Sequence, residues 1–267
     1  MNQKLDRLKR NLEKYDQLAV AFSGGVDSAF LLKMAYDVLG SRVLAVTIKS
    51  VIFPQREEDE AGQFCIKYGI RQTVCELDQM EIPGFAQNPK DRCYLCKRKM
   101  MQTIVAAAKE QGILYVAEGS NVDDDGDYRP GRLAVSQSGV LSPLREAGLT
   151  KAEIRALSRQ NELPTWDKQS FACLASRFVY GEQMTREKLT MIGKAEQKLL
   201  DLGFMQVRVR MHGRMARIEV LPQEFERFMQ ESIRSCITKA FQEYGFTYVA
   251  LDLQGYRTGS MNEGVIL

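Results

Sequence analysis

The fold is decided by the stretch Leu18-Ala19-Val20-Ala21-Phe22-Ser23-Gly24-Gly25-Val26-Asp27-Ser28. Its apolar first half leads into two glycines, and an amphipathic segment follows at 29–39. This order predicts a strand, a glycine turn and a helix. The glycines allow backbone N–H groups to converge, and the helix start adds a partial positive charge. The turn therefore predicts a phosphate or pyrophosphate site.

The polar residues of this glycine turn (residues 23–28) support that prediction. Ser23 and Ser28 supply hydroxyl donors at its ends, and Asp27 is typical of a residue that holds a metal ion beside phosphates. The alternative is an ordinary turn without a ligand, since Ser, Gly and Asp are common in turns. The Walker lysine and the G-x-G-x-x-G fingerprint are missing. Their absence argues against a P-loop NTPase and a Rossmann dehydrogenase.

The complete string resembles the pyrophosphate loop of the PP-loop ATPases, which have an adenine nucleotide alpha hydrolase-like fold. The resemblance implies ATP and Mg²⁺ as cofactors, and cleavage of ATP between its α and β phosphates to adenylylate a substrate. It also implies which residues bind the nucleotide: Ser23, Gly24, Gly25, Asp27 and Ser28. Asp27 would be a catalytic residue as well. The loop does not identify the substrate.

The composition is that of a globular chain. It has 267 residues, a hydrophobic fraction of 45% and a net charge of +3, which is too small to indicate nucleic acid as a partner. No stretch approaches the roughly 18 apolar residues of a membrane span, and the charged N-terminus is unlike a signal peptide. We expect a cytoplasmic protein without a membrane partner. A single histidine argues against a Ser-His-Asp triad and a multi-histidine zinc site.

The first two thirds of the chain alternate two patterns. Strand patterns occur at 18–22, 43–48, 72–76 and 114–118, and helical patterns at 29–39, about 57–68 and about 93–111. This rhythm predicts an α/β fold with a parallel sheet covered on both faces and ligands at the carboxyl ends of the strands. Thr150-Lys151-Ala152-Glu153 is a capping box that predicts a further helix.

The pattern changes after about residue 180. A helix capped by Thr185 precedes a predicted hairpin of strands at 207–210 and 216–220, joined by a turn at His212-Gly213. A long helix at about 223–244 and a strand at 248–253 follow. We therefore predict two domains: an ATP-binding domain that carries the cysteine site at 1–180, and a smaller α+β domain for substrate binding and oligomerisation at 181–267.

Three of the six cysteines are candidate metal ligands. Cys93 and Cys96 form a C-x-x-C at a predicted helix start, and Cys173 lies next to Ser176 and Arg177. Three interpretations remain open: a structural zinc site, a thioredoxin-like redox pair, and a [4Fe-4S] cluster held by three thiolates with one iron open. Nearby basic residues would lower thiol pKa values and offset the negative charge of a cluster.

Arg208 and Arg210 stand two apart on a predicted strand, so their side chains share a face. They form a basic fork suited to a phosphate or a carboxylate. Ser176 and Arg177 can place an anionic substrate beside Cys173. The alternative for the arginines is a solvated surface, in which Glu219 on the paired strand forms a salt bridge with one of them.

Several motifs together resemble the ATP-dependent sulfur transferases of nickel-pincer nucleotide biosynthesis. They are the glycine turn, Asp127-Tyr128-Arg129-Pro130-Gly131, Cys173-Leu174-Ala175-Ser176-Arg177 with Tyr180-Gly181, Val207-Arg208-Val209-Arg210, Ala216-Arg217-Ile218-Glu219, Leu251-Asp252-Leu253, and Gly255-Tyr256-Arg257 through Met261-Asn262. The resemblance runs from end to end. It implies that a carboxylate of pyridinium-3,5-biscarboxylic acid mononucleotide is adenylylated and then converted to a thiocarboxylate.

Two chemical types exist in this family. In one type a single cysteine gives up its own sulfur and becomes dehydroalanine, and Cys173 matches that position. In the other, three cysteines hold an iron–sulfur cluster, and Cys93 and Cys96 match the two further thiols. The resemblance thus implies Cys93, Cys96 and Cys173 as cluster ligands, and Cys173 as a catalytic residue. It also implies a homo-oligomer, and the sulfide source is not identified.

Two rival functions use the same motifs. A tRNA thiolase would share the loop and the cluster, but predicts tight, salt-sensitive tRNA binding that the near-neutral charge does not favour. A non-catalytic ATP-binding module with a zinc-bound C-x-x-C would bind ATP without releasing pyrophosphate.

Overall fold

The computed structural model describes residues 1–126, 130–169, 172–257 and 260–262, and its contacts divide the chain into two compact units. The first comprises Met1–Ile82 and Asp91–Phe171, and the second comprises Pro83–Lys90 and Ala172–Leu267. The contact division thus falls earlier than residue 180, and Cys173 belongs to the second unit. The functional boundary after residue 180 stays a prediction. Residues 127–129 of the Asp127-Tyr128-Arg129-Pro130-Gly131 motif lie outside the described residues.

The first unit contains a sheet with helices between its strands. Its elements are α1 (Asn2–Leu12), β1 (Leu18–Ala21), α2 (Val26–Leu39), β2 (Val43–Lys49), α3 (Gln55–Tyr68), β3 (Arg71–Glu76), α4 (Arg92–Glu110), β4 (Val116–Ala117), α5 (Pro130–Gln137), α6 (Pro143–Glu146) and α7 (Lys151–Gln160). Over the described residues the strands form a four-stranded parallel sheet in the order β3-β2-β1-β4. The predicted α/β class with a parallel sheet is confirmed.

Both faces of the sheet are buried, as predicted. Leu18 and Val20 of β1 belong to one core, which also contains Leu31 of α2. Ala19 belongs to the other core, where it is joined by Met101 of α4. Successive residues of a strand point to opposite faces, so a strand buried on both sides reads as a continuous apolar run.

The edge strand β4 is shorter than the predicted strand at 114–118. Its two residues pair with β1, and Tyr115 accepts a hydrogen bond from the Ala19 N–H at 2.9 Å. Leu114 is 80% exposed. Because β1 begins at Leu18, a strand that began at Leu114 would have no partner there.

The predicted capping box opens α7. The Thr150 hydroxyl accepts a hydrogen bond from the Glu153 N–H at 3.2 Å, and the Glu153 carboxylate accepts one from the Thr150 N–H at 2.9 Å. The box fixes Lys151 as the first residue of the helix.

The second unit contains α8 (Arg186–Asp201), β5 (Arg208–His212), β6 (Met215–Glu219), α9 (Phe225–Phe228), α10 (Glu231–Glu243) and β7 (Tyr248–Leu251). In its described residues β5 and β6 form the predicted antiparallel hairpin, and β7 pairs parallel with β6. Gly213 in the hairpin turn has a φ of +61°, which favours glycine.

The predicted continuous helix at 223–244 was wrong, because α9 and α10 are separate helices. Arg227 donates hydrogen bonds to the carbonyl oxygens of Leu202 and, at 3.0 Å, Gly203. The ring of Phe228 packs against Phe204 with centroids 5.5 Å apart. These contacts tie α9 to the end of α8, and α10 starts anew after Gln230, whose φ of −59° and ψ of 135° are not helical.

The segment Pro83–Lys90 belongs to the second unit, although the residues before and after it in the sequence belong to the first. Asn88 is fully buried, and its side-chain amide donates to the Val179 carbonyl at 2.6 Å. The Asn88 carbonyl accepts a hydrogen bond from the Gly181 N–H at 3.0 Å. These hydrogen bonds hold Asn88 within the second unit. Among the described residues, no helix is both long and apolar enough to cross a membrane.

Candidate functional site

The glycine turn lies at the carboxyl end of β1, where the sequence placed it. Gly24 has a φ of +71°, a conformation that favours glycine. A Cβ at this position would lie 3.3 Å from the Ala61 Cβ and 3.4 Å from the Glu57 carbonyl oxygen. Gly24 is thus required both by its backbone conformation and by the close approach of α3.

The two serines of the turn meet at the start of α2. The Ser28 hydroxyl accepts a hydrogen bond from the Ser23 N–H at 3.3 Å and donates one to the Gly25 carbonyl at 3.2 Å. The two hydroxyl oxygens are 3.1 Å apart. Gly25 is the N-cap and offers no side-chain cap, so the first N–H groups of α2 can bind an anion.

The end of β4 closes the other side of this helix start. A Cβ at Gly119 would lie 3.0 Å from the Ser28 nitrogen and 3.2 Å from the Asp27 carbonyl carbon. A side chain at position 119 would therefore displace the turn.

Asp27 forms an ion pair that the sequence did not predict. Its Oδ2 atom accepts a hydrogen bond from the Lys151 amino group at the start of α7. Its Oδ1 atom is buried and has no hydrogen-bond partner in the described part of the chain. Burial raises the pKa of Asp27 above its usual range, although Lys151 opposes this shift. A carboxylate oxygen in this state suits a cation that arrives with the nucleotide.

Part of the acidic run after Gly119 has a structural role. The Asp123 carboxylate accepts a hydrogen bond from the Lys151 N–H at 2.8 Å, and the Asp124 carboxylate accepts one from the Asn121 N–H at 2.9 Å. Asp123 thereby holds the start of α7, which carries the lysine paired with Asp27.

Lys168 is a second lysine at the glycine turn that sequence reasoning missed. Its amino group lies 2.7 Å from a Glu57 carboxylate oxygen and 2.6 Å from one of Glu60. It also donates a hydrogen bond to the Gly24 carbonyl at 3.2 Å. The only local signal is its place after Trp166 in a polar segment, which does not indicate a contact with a turn so distant in sequence.

Cys93 and Cys96 lie one turn apart at the start of α4. Cys93 is exposed, whereas Cys96 is buried with its sulfur 3.6 Å from the Met100 sulfur. Cys65, which is not a candidate ligand, is buried in the core. Its burial raises the pKa of its thiol to about 12, as expected for an unreactive core cysteine. Within the described ranges, no group of three or more His, Cys, Asp or Glu side chains comes together as a metal site.

The remaining predicted residues are brought together in the second unit. Arg177 is fully buried next to Cys173, and its guanidinium binds both Glu196 carboxylate oxygens at 2.7 and 2.9 Å. It also donates to the Ser176 hydroxyl at 2.7 Å. Burial lowers the pKa of Arg177, but Glu196, followed by Cys173 and Glu219, raises it, and the net pKa lies above its ordinary value.

Arg210 belongs to the same cluster. Its guanidinium lies 2.8 Å from a Glu219 carboxylate oxygen and donates to the Ser260 hydroxyl at 3.0 Å. It also donates to the Ser176 carbonyl at 3.3 Å. The predicted salt bridge to Glu219 is therefore present, but it is buried and not on a solvated surface.

Arg208 is the third buried arginine, with its guanidinium 5.2 Å from the centre of the Tyr256 ring. Burial, followed by repulsion from Arg177, lowers the pKa of Arg208 to about 10. In the described part of the second unit, three buried guanidinium groups thus face two buried carboxylates, those of Glu196 and Glu219. Guanidinium groups clustered in a water-poor environment are suited to an anionic ligand beside Cys173.

Comparison with known proteins gives a matching family model and several similar proteins. The family model of NAD synthase matches residues 1–119. Pyridinium-3,5-bisthiocarboxylic acid mononucleotide synthase of Lactiplantibacillus plantarum is 36% identical over 253 residues, covering 94% of this chain and 91% of that protein. An uncharacterized protein of Synechocystis sp. is 41% identical over 263 residues, 98% of each chain. A glutamine-hydrolyzing GMP synthase chain of Thermoplasma volcanium is 26% identical over 207 residues, 70% of this chain and 65% of that one.

The buried ion pair of Arg177 generates a stability prediction. Glu196→Gln leaves a buried guanidinium opposite a neutral amide, so we expect the free energy of unfolding to fall by about 3 kcal/mol. Urea denaturation followed by circular dichroism measures it. Glu187→Gln, an exposed change in the first turn of the same helix, is the control and should stay within about 0.5 kcal/mol of the unmodified protein. Equal midpoints for Glu196→Gln and the unmodified protein would contradict the account.

Proposed function

Because the chain belongs to the family of the pyridinium-3,5-bisthiocarboxylic acid mononucleotide synthases and is an ATP-dependent sulfur transferase, we propose its substrate and reaction. The substrate is pyridinium-3,5-biscarboxylic acid mononucleotide, a small anionic nucleotide, and one of its carboxylates becomes a thiocarboxylate. One observation carries the proposal: Cys173, Ser176 and the three buried arginines lie together in one unit, where they suit an anionic substrate next to a sulfur.

In the first step the substrate carboxylate attacks the α-phosphorus of ATP, and pyrophosphate leaves. The glycine turn and the first N–H groups of α2 bind the phosphates. Asp27 would hold Mg²⁺ through its buried Oδ1, and the metal would supply charge neutralisation of the phosphates. Lys151 keeps the Asp27 carboxylate oriented until the nucleotide arrives.

In the second step sulfur attacks the acyl carbon of the mixed anhydride, and AMP leaves. Arg208 and Arg210 hold the phosphate or the second carboxylate of the substrate by charge-assisted hydrogen bonds, and the fully buried Arg177 adds its positive charge. Ser176 adds a hydroxyl beside Arg177. Their burial excludes water, which would otherwise hydrolyse the anhydride.

The sulfur has two possible sources in this chain. Cysteine thiols are the usual ligands of a [4Fe-4S] cluster. Cys93 and Cys96 stand three residues apart at the N-terminus of α4, and the carbonyl of Cys173 accepts a hydrogen bond from the Arg177 guanidinium. A helix N-terminus and a nearby guanidinium both favour the thiolate form. Cys93, Cys96 and Cys173 would then hold the cluster, which would supply a sulfide nucleophile. Alternatively, the Cys173 thiolate attacks to form a thioester as AMP leaves, and β-elimination then removes the Cα proton of Cys173 and breaks its Cβ–Sγ bond, which releases the thiocarboxylate and leaves dehydroalanine. A cytoplasmic location and a homo-oligomeric state remain predictions from the sequence.

The role of Asp27 is tested by Asp27→Asn. The amide keeps the shape but loses the charge that would hold Mg²⁺, so we expect substrate-dependent pyrophosphate release to fall at least about a hundredfold. A coupled pyrophosphate assay measures it. Asp37→Asn on the same helix, which removes only the partner of Lys33, is the matched control and should retain full release. Unchanged release by Asp27→Asn would remove this residue from its proposed role.

The sulfur source is tested by iron and acid-labile sulfide in anaerobically purified protein. We expect amounts near those of a four-iron cluster, with both lost in Cys93→Ala, Cys96→Ala and Cys173→Ala, because each removes a ligand. Cys236→Ala, on α10, is the control and should keep both. Zinc or no metal, together with loss of one H₂S from Cys173 after turnover, would favour the self-sacrificing cysteine.

The pyrophosphate assay also tests the rival functions. Pyrophosphate release that depends on tRNA would favour a tRNA thiolase, and ATP binding without pyrophosphate release would favour a non-catalytic module.

A further inference from the structure

The Lys168 amino group is the least explained charge at the glycine turn. Its side chain is only 12% exposed, and it is surrounded by Glu57, Glu60 and the Gly24 carbonyl. The reaction proposed above assigns it no step. Its contacts nevertheless reach the one residue of the turn whose backbone has a positive φ.

The backbone that carries Lys168 is itself fixed to α7. The Arg155 guanidinium donates hydrogen bonds to the Trp166 carbonyl at 2.7 Å and the Lys168 carbonyl at 2.8 Å. The Arg159 guanidinium lies 4.9 Å from the centre of the Trp166 ring. The backbone at Lys168 is therefore held in place by hydrogen bonds to α7.

Gly24 is held between two elements. On one side α3 packs against it, since any Cβ would meet Ala61 and the Glu57 carbonyl. The Lys168 amino group binds the Gly24 carbonyl and, at the same time, two carboxylates of that same helix. Lys168 therefore fixes the turn relative to α3.

The charges explain why a cation is needed at this point. Glu57 and Glu60 bring two carboxylates to the edge of a turn that is to bind phosphates. Arg56 lies 3.7 Å from Glu57, and Lys168 is in direct contact with both acids. Without Lys168, repulsion between these carboxylates and the triphosphate would oppose nucleotide binding.

We propose that Lys168 is a positioning residue for ATP, which holds the glycine turn in its phosphate-binding shape and neutralises Glu57 and Glu60 beside it. The inference deepens the proposed function and rests on it, because it assumes that ATP binds at this turn. Lys168 acts through the turn and the two carboxylates.

The test compares Lys168→Gln, Lys168→Arg and the control Lys33→Gln. Lys33 is also a partly buried lysine of the first unit, but its partner is Asp37 on α2. We expect Lys168→Gln to weaken binding of α,β-methylene-ATP, measured by calorimetry, at least about tenfold, the loss of a charged hydrogen bond. Lys168→Arg should stay within about threefold, because a guanidinium can replace the cation, and Lys33→Gln should match the unmodified protein.

Steady-state pyrophosphate release separates positioning from folding. Lys168→Gln should raise the KM for ATP about tenfold and leave the KM for the mononucleotide unchanged. A merely structural defect would lower the active fraction, and thus kcat, without changing either KM. Normal ATP binding by folded Lys168→Gln, or the same loss in Lys33→Gln, would overturn the inference.

If Lys168→Gln does not fold, a measurement on the protein without substitutions replaces it. Acetylation of the native protein, quantified at Lys168 by mass spectrometry, should weaken binding of α,β-methylene-ATP at least about tenfold in the fraction acetylated at that residue. Full acetylation of Lys168 with unchanged binding would overturn the inference. If the unmodified protein itself neither binds the analogue nor releases pyrophosphate, the proposed function fails first, so the two failures are distinguishable.

Discussion

The parallel pairing of β1 with β2 on one side and β4 on the other is the constraint on which the first unit depends. It brings the ends of β1 and β4 to the same edge of the sheet. Gly119, after β4, then lies against the start of α2 so closely that a Cβ would be 3.0 Å from the Ser28 nitrogen. Main-chain geometry thus places the glycine turn at this edge of the sheet, and Lys168, through the Gly24 carbonyl, Glu57 and Glu60, links the turn to α3.

Each unit contains a cluster of charged side chains, and the two clusters differ in composition. At the glycine turn, carboxylates come close to a phosphate site, and Lys151 and Lys168 neutralise them. Around Cys173 the described part of the chain brings together Arg177, Arg208 and Arg210, with Glu196 paired to Arg177 and Glu219 paired to Arg210. Clustered guanidinium groups bind phosphate and carboxylate groups, so we propose this cluster as the place for an anionic substrate. The sulfur of Cys173 beside it suits the proposed attack on an acyl-adenylate.

The sequence predicted what depends on neighbours along the chain. The apolar runs gave β1 and β2, and the capping box gave the start of α7, because these are local signals. The single helix predicted at 223–244 failed because Arg227 contacts carbonyls near Leu202, which periodicity does not report. Lys151 and Lys168 were missed for the same reason: their contacts with the glycine turn span 124 and 144 residues of sequence. Their type alone predicts only a solvated surface charge.

The central claim is that ATP activates a substrate carboxylate and that sulfur then replaces one of its oxygens. It is tested most directly by supplying pyridinium-3,5-biscarboxylic acid mononucleotide labelled with oxygen-18 in both carboxylates, and weighing the AMP by mass spectrometry. We expect AMP that carries one oxygen-18 atom, because the bridging oxygen of the acyl-adenylate leaves with the phosphate. Unlabelled AMP, formed while the thiocarboxylate appears, would mean that the carboxylate never attacked phosphorus and would contradict the account.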